Sequence, residues 1–215
     1  MTSRAVTVET PASPSSPGPL IATMHEFEFS VDTNSGRILP ARQIASPNFD
    51  ARPAGADIDL LIVHGISLPP GEFGTGAIEA LFTNELDFSL HPYYEEIRGL
   101  TVSSHLLIDR EGALTQFVSF NDRAWHAGES RFRGRTRCND FAIGIELEGT
   151  DTDPYSAPQY AALAAVTAAL IAAYPGIGTR TIAGHSDVSP GRKTDPGPAF
   201  DWQRLYDGLL ETSSA

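Results

Sequence analysis

The 215-residue chain is 41% hydrophobic and 20% charged, the make-up of one soluble domain with a sizeable core and room for an appendage. Its 15 Lys and Arg against 27 Asp and Glu give a formal charge of −12, which argues against nucleic acid and anionic membranes as partners and for a small substrate held by a few local cations. The single cysteine, Cys138, rules out an intramolecular disulfide, and neither a secretory signal nor a membrane-spanning run is visible, so the expected setting is cytoplasmic.

Residues 1–23 are rich in Pro, Ser, Thr and Ala, a composition that predicts a disordered or extended tail, and Met24 offers a second start. Phe27, Phe29 and Val31 alternate as in a short edge strand, with Gly36 as the following turn. The stretch 40–53 reads as an irregular lead-in. The first core strand is predicted at Asp59–Val63, ending in His64 and a Gly/Pro-rich loop. A short helix follows at Ala77–Phe82, then a loop through His91 and Pro92. Ser104–Ile108 and Leu114–Phe120 read as strands joined by the turn Asp109-Arg110-Glu111-Gly112. Phe141–Leu147 predicts another strand. Pro158–Ala173 carries Tyr160, Leu163, Val166, Leu170 and Ile171 at helical spacing. Thr181–Ala183 is a short strand leading into Gly184-His185, and Trp202, Leu205 and Leu209 mark a last helix. Hairpin and crossover links are mixed, so the class is α/β or α+β around one central sheet.

Three features could carry chemistry. His64 lies at the end of a buried strand, His185 just past another with Lys193 and Asp195 shortly after it, and Glu146 sits inside an apolar strand. Strand ends let a rigid sheet fix converging groups. Two imidazoles and a carboxylate suit zinc with a fourth position left for water, yet two His and an Asp spread between 64 and 195 are by themselves a weak metal signal. Glu146 and Glu148 share a strand face. Each either meets an Arg or solvent at the sheet end or, for Glu146, is tuned beside a metal-activated water. Lys193 is a surface charge or an oxyanion stabiliser.

Among the other histidines, His25 reads as solvated, His91 as structural and His105 as a satisfied core residue. His126, beside Trp125 in a Gly-ended loop, is open between ligand contact and a structural hydrogen bond.

The segments VHGISLPPGEFG (63–74), LIDREGALTQFVSFNDRAWHAGESRFRGRTRCNDFAIGIELEGTD (107–151) and GHSDVSPGRKTDPGPAFDW (184–202) resemble the AmpD-like N-acetylmuramoyl-L-alanine amidases, the cytosolic branch of a family that includes T7-type lysozyme amidases and peptidoglycan recognition proteins. The resemblance spans roughly 38–210. It implies a central mixed β-sheet flanked by helices with zinc in a groove at one sheet edge. It also implies His64, His185 and Asp195 as zinc ligands, Glu146 as catalytic acid and base, and Lys193 as oxyanion stabiliser. Trp125, His126 and Arg137 are then expected at the substrate. The implied reaction is hydrolysis of the amide between the muramyl lactyl group and L-alanine in 1,6-anhydromuramyl peptides during peptidoglycan recycling, by a monomer. Residues 1–37 would be a lead and 38–212 the zinc amidase domain. The chain departs from the family at Gly65, where relatives often carry Asn, and at Thr101, where some carry Arg. Competing readings are a peptidoglycan-binding module without catalysis and an amidase acting on intact wall outside the cytoplasm.

Overall fold

Two stretches of the chain are apolar enough to be buried on both faces, and they pair side by side at the centre of the sheet. The computed structural model describes residues 27–212. In chain order it forms the hairpin β1 (Ser30–Asp32) and β2 (Arg37–Leu39), then β3 (Arg42–Gln43), β4 (Phe49–Ala51), β5 (Leu60–Ile66), α1 (Ala77–Phe82) and α2 (Pro92–Glu96). There follow β6 (Leu106–Ile108), β7 (Leu114–Gln116), β8 (Asp122–Ala124), β9 (Arg131–Phe132), β10 (Arg135–Thr136) and β11 (Ala142–Glu148). The chain ends with α3 (Ala157–Ala173), β12 (Ile182–Gly184), the single turn α4 (His185–Val188) and α5 (Trp202–Thr212).

The main sheet has six strands in the order β12-β5-β11-β6-β7-β3. Its pairs are parallel except β6 with β7, so the expected mixed sheet flanked by helices is what forms. Side chains alternate across a strand, and the two faces go to different cores. Leu61, Val63, Ile143, Ile145 and Leu147 join the cluster under α3 and α5. Leu60, Ile62 and Ala142 face the other way, against Ala127, Cys138, Phe141 and Val188. This second face carries the even-numbered residues of β5 and β11, and so His64 and Glu146.

The α3 helix starts from a capping box: Ser156 Oγ accepts from Gln159 N–H at 3.2 Å, and Gln159 Oε1 accepts from Ser156 N–H at 2.9 Å. It is clamped by α5, whose Leu205 and Leu209 are buried one turn apart. Gly208 permits the approach, since a Cβ there would stand 2.9 Å from the Ala164 Cβ. Each such leucine contributes about 1.5–3 kcal/mol of burial.

Several elements differ from the sequence expectation. The strand predicted to stop before His64 continues to Ile66, because β11 pairs with it as far as Glu148. The stretch 40–53 holds β3 and β4, each two or three residues long between prolines and too short to show a period. The loop through His91 contains α2, with His91 Nδ1 accepting from Tyr93 N–H at 3.1 Å as its N-cap. The strand read to Phe120 ends at Gln116. Within the expected lead, Phe27, Phe29 and Val31 pack on the main core, while residues 1–26, including the predicted tail and His25, lie outside the described residues. No helix among the described residues is long and apolar enough to cross a membrane.

Candidate metal centre

Register builds the site. In the parallel pair β5–β11, His64 stands directly opposite Glu146. On the other side of β5, Gly184 of β12 stands opposite Val63, so His185, the next residue, comes level with His64. Three parallel strands thus align His185, His64 and Glu146 in one row at their carboxyl ends. Asp195 reaches the row from the loop after α4, whose turn is tied back by Ser186 N–H donating to the Asp195 carbonyl at 2.9 Å.

The three candidate ligand atoms form a small triangle. His64 Nδ1 lies 3.0 Å from His185 Nδ1 and 3.2 Å from Asp195 Oδ2, and His185 Nδ1 lies 3.0 Å from the same oxygen. Tetrahedral zinc with bonds of about 2.0–2.1 Å sets its ligand atoms about 3.3 Å apart. Protonation points the same way. The Ala127 carbonyl, 3.1 Å from His185 Nε2, can only accept, so neutral His185 carries its hydrogen on Nε2 and offers a bare Nδ1. Burial pushes the His64 pKa down to about 4. Lone pairs and a carboxylate oxygen converging at this spacing repel one another unless a cation lies among them. The donor set fits a metal ion.

Glu146 is buried, with Oε1 3.9 Å from His64 Nδ1. Its Oε2 has no hydrogen-bond partner among the described residues. Burial, and then the Asp195 charge, push its carboxyl well above the ordinary range, while Lys193 pulls it back. Lys193 itself is exposed, and its charge reaches both His64 and Glu146. Glu148, two residues on, instead accepts the Gly74 N–H and pins the loop after β5.

Beside this row opens a groove of about 450 Å³ lined by Asp50, Arg123, Trp125, Gly128, Arg137 and Asn139. Trp125 and Arg137, both expected at the substrate, meet here. Arg123 is held by Asp50 at 2.5 Å and Asp140 at 3.1 Å, whereas Arg137 is 69% exposed and touches Asp140 at 3.2 Å. His126 is placed elsewhere, buried behind His64 with Nδ1 2.9 Å from His64 Nε2. His105 is the satisfied core histidine expected: its Nδ1 accepts from Gly144 N–H at 3.0 Å. Thr101 is exposed. At Gly65 the Tyr155 hydroxyl occupies the space a Cβ would need, and it donates to the Pro196 carbonyl at 2.9 Å beside Asp195.

Sequence reading missed Asp50, Arg123 and Arg192. The first two face each other across β4 and β8, strands too short to announce themselves. Arg192 ties the metal loop to the groove through the Ala127 and Glu129 carbonyls at 2.5 and 2.7 Å. The only hint was its place beside Lys193 in a basic pair within an acidic chain.

A family model described as N-acetylmuramoyl-L-alanine amidase matches residues 54–198. The chain is 55% identical over 180 residues to the 1,6-anhydro-N-acetylmuramyl-L-alanine amidase AmpD of Enterobacter cloacae, covering 84% of this chain and 95% of that protein. It is similar to a crystal structure of a Se-Met AmpD derivative, with a TM-score of 0.80, 53% identity, and coverage of 83% of this chain and 98% of that one. A second solved structure, AmpDh3 from Pseudomonas aeruginosa in complex with anhydromuramic pentapeptide, matches with a TM-score of 0.53 and 28% identity over 73% of this chain and 61% of that one.

Proposed function

This chain belongs to the N-acetylmuramoyl-L-alanine amidase family, and from that premise we propose that it acts on 1,6-anhydromuramyl peptides with one zinc ion held by His64, His185 and Asp195. The enzyme cleaves the amide between the muramyl lactyl group and L-alanine, a step of peptidoglycan recycling. The observation that carries the metal assignment is the triangle of His64 Nδ1, His185 Nδ1 and Asp195 Oδ2.

When bound, zinc supplies Lewis-acid polarisation of the scissile carbonyl and acidification of the attacking water. Glu146 takes the proton of that water on a carboxylate oxygen and returns it to the departing L-alanine nitrogen. A carboxyl whose pKa is raised by burial is suited to hold a proton and then give it up. Lys193 brings positive charge to the oxygen that becomes anionic as the tetrahedral centre forms. Trp125 offers an aromatic face in the groove, and Arg137 offers a fork of N–H donors to a stem-peptide carboxylate. The structural neighbour solved with anhydromuramic pentapeptide supports that choice of substrate. A cytoplasmic setting and a monomer suit a small soluble muropeptide and a chain whose one cysteine is free and buried.

Mass spectrometry of the products tests the reading. From anhydromuramyl tripeptide, the expected products are anhydro-N-acetylmuramic acid and a tripeptide with a free L-alanine amino group. Cleavage at any other bond, or none with zinc present, overturns it.

A further inference from the structure

The ring nitrogen that a metal-binding histidine offers is set by what its other nitrogen touches. Here both second nitrogens meet one dipeptide. His64 Nε2 lies 2.9 Å from His126 Nδ1, and His185 Nε2 lies 3.1 Å from the Ala127 carbonyl oxygen. Resting on the zinc reading above, we propose that His126-Ala127 is the outer shell of the metal centre and that His126 is a positioning residue for His64, not a contact for substrate. Each member accepts an Nε2–H from one ligand ring and leaves that ring's Nδ1 bare toward the metal.

Two features of the surrounding structure have no other use. With Nδ1 accepting from His64, neutral His126 carries its hydrogen on Nε2, and that atom is buried without a partner among the described residues. An orphaned buried donor is destabilising, so packing alone would favour an apolar ring or Leu here. The second feature is Gly144, in the middle of β11, where glycine weakens a strand. A Cβ at 144 would stand 2.5 Å from His126 Nδ1, so the bare position is what lets the imidazole lie against the strand within reach of His64 Nε2. Both costs converge on one ring whose hydrogen-bond partner is a ligand.

Ala127 is held as firmly. It is fully buried, its N–H donates to Asn139 Oδ1 at 2.8 Å, and its carbonyl also receives Arg192 Nη2 at 2.5 Å. Trp125, the preceding residue, lines the groove. The segment 125–127 therefore presents its tryptophan to the groove while its next two residues orient both imidazole ligands.

The test is zinc affinity measured by chelator competition on the metal-free wild type, His126→Leu, His126→Asn and Gly144→Ala, with melting of each metal-free protein recorded alongside. His126→Leu is expected to weaken zinc binding about 10–100-fold while the metal-free protein melts close to wild type, because the variant removes the orphaned His126 Nε2–H as the His64 Nε2 loses its partner. His126→Asn places an amide oxygen near the lost Nδ1 and is expected to recover most of the affinity. Gly144→Ala, which touches no ligand but displaces the His126 ring, is expected to weaken zinc binding as His126→Leu does. Wild-type affinity in His126→Leu overturns the proposal, as does an equal loss in the Leu and Asn variants matched by lower melting, the mark of a packing role. Should His126→Leu not fold, the contrast between His126→Asn and Gly144→Ala decides. A wild type that takes up no zinc overturns the metal reading itself.

Discussion

The metal row and the groove beside it lie a few residues apart and are built by opposite means. His64, Glu146 and His185 are buried and set by the register of three parallel strands. Asp50, Arg123 and Arg137 come from two- or three-residue strands and the loops between them, and Arg137 is largely exposed. Buried groups in a row keep their spacing because moving one means breaking sheet hydrogen bonds and core packing together. Groove groups can shift or be exchanged at small cost to the fold. Chemistry is therefore expected to depend on the row almost absolutely, and substrate affinity to depend on the groove by degrees.

The largest expected effect comes from the row. His64→Ala should abolish both zinc binding and hydrolysis while leaving far-UV circular dichroism near that of wild type. An active, zinc-loaded variant would break the comparison by showing that another ligand set does the work. Next is Glu146→Gln, expected to keep zinc and lower kcat by about 10²–10⁴-fold, the range for a positioned acid–base group, with Glu148→Gln costing far less because Glu148 holds a loop. Lys193→Ala should also keep zinc and lower kcat, by about 10²-fold. Steady-state kinetics beside metal analysis checks both, and loss of zinc from either would move that residue into the ligand set.

The groove supplies a smaller effect. Arg137→Ala should raise KM for a muramyl tripeptide about tenfold, toward the low end for a charge-assisted pair because the guanidinium is exposed, and leave kcat unchanged, as lost uniform binding does. Thr101→Arg added to it should recover part of the affinity if that position faces the peptide. An unchanged KM would leave Arg137 as a structural partner of Asp140.

The smallest concerns His105, whose pKa burial pushes well below 6.5, with Arg52 adding to the shift. The unfolded chain binds this proton below about pH 6.5 and the folded one does not. Stability from this group is thus complete above pH 6.5 and falls as pH drops below it, by at most about 1.4 kcal/mol per pH unit. Denaturant unfolding of wild type at pH 7.0 and 5.5 should show a steeper loss than that of His105→Asn. Equal losses would contradict the assignment.

The same division governs how much the sequence reveals. The continuous apolar runs of β5 and β11, the helix at Ala77–Phe82, and the capped α3 are local signals, and each appears near its expected place. His64, His185 and Glu146 stood out because polar groups inside or just past apolar strands are conspicuous. Their meeting was not readable, since it depends on Glu146 pairing with His64 across 82 positions of chain. Nor does alternation say what each side faces: it separates Trp125 from His126 without showing that one meets the groove and the other His64. Asp50 and Arg123 were hidden because strands of three residues have no period to detect.

The row's central role is tested most directly by adding zinc back to the metal-free enzyme while following hydrolysis of anhydromuramyl tripeptide. The account predicts no turnover without metal, a rise in rate with each addition, and a plateau at one zinc per chain that His64→Ala never leaves baseline to approach. Full-rate hydrolysis by the completely demetallated wild type would contradict it.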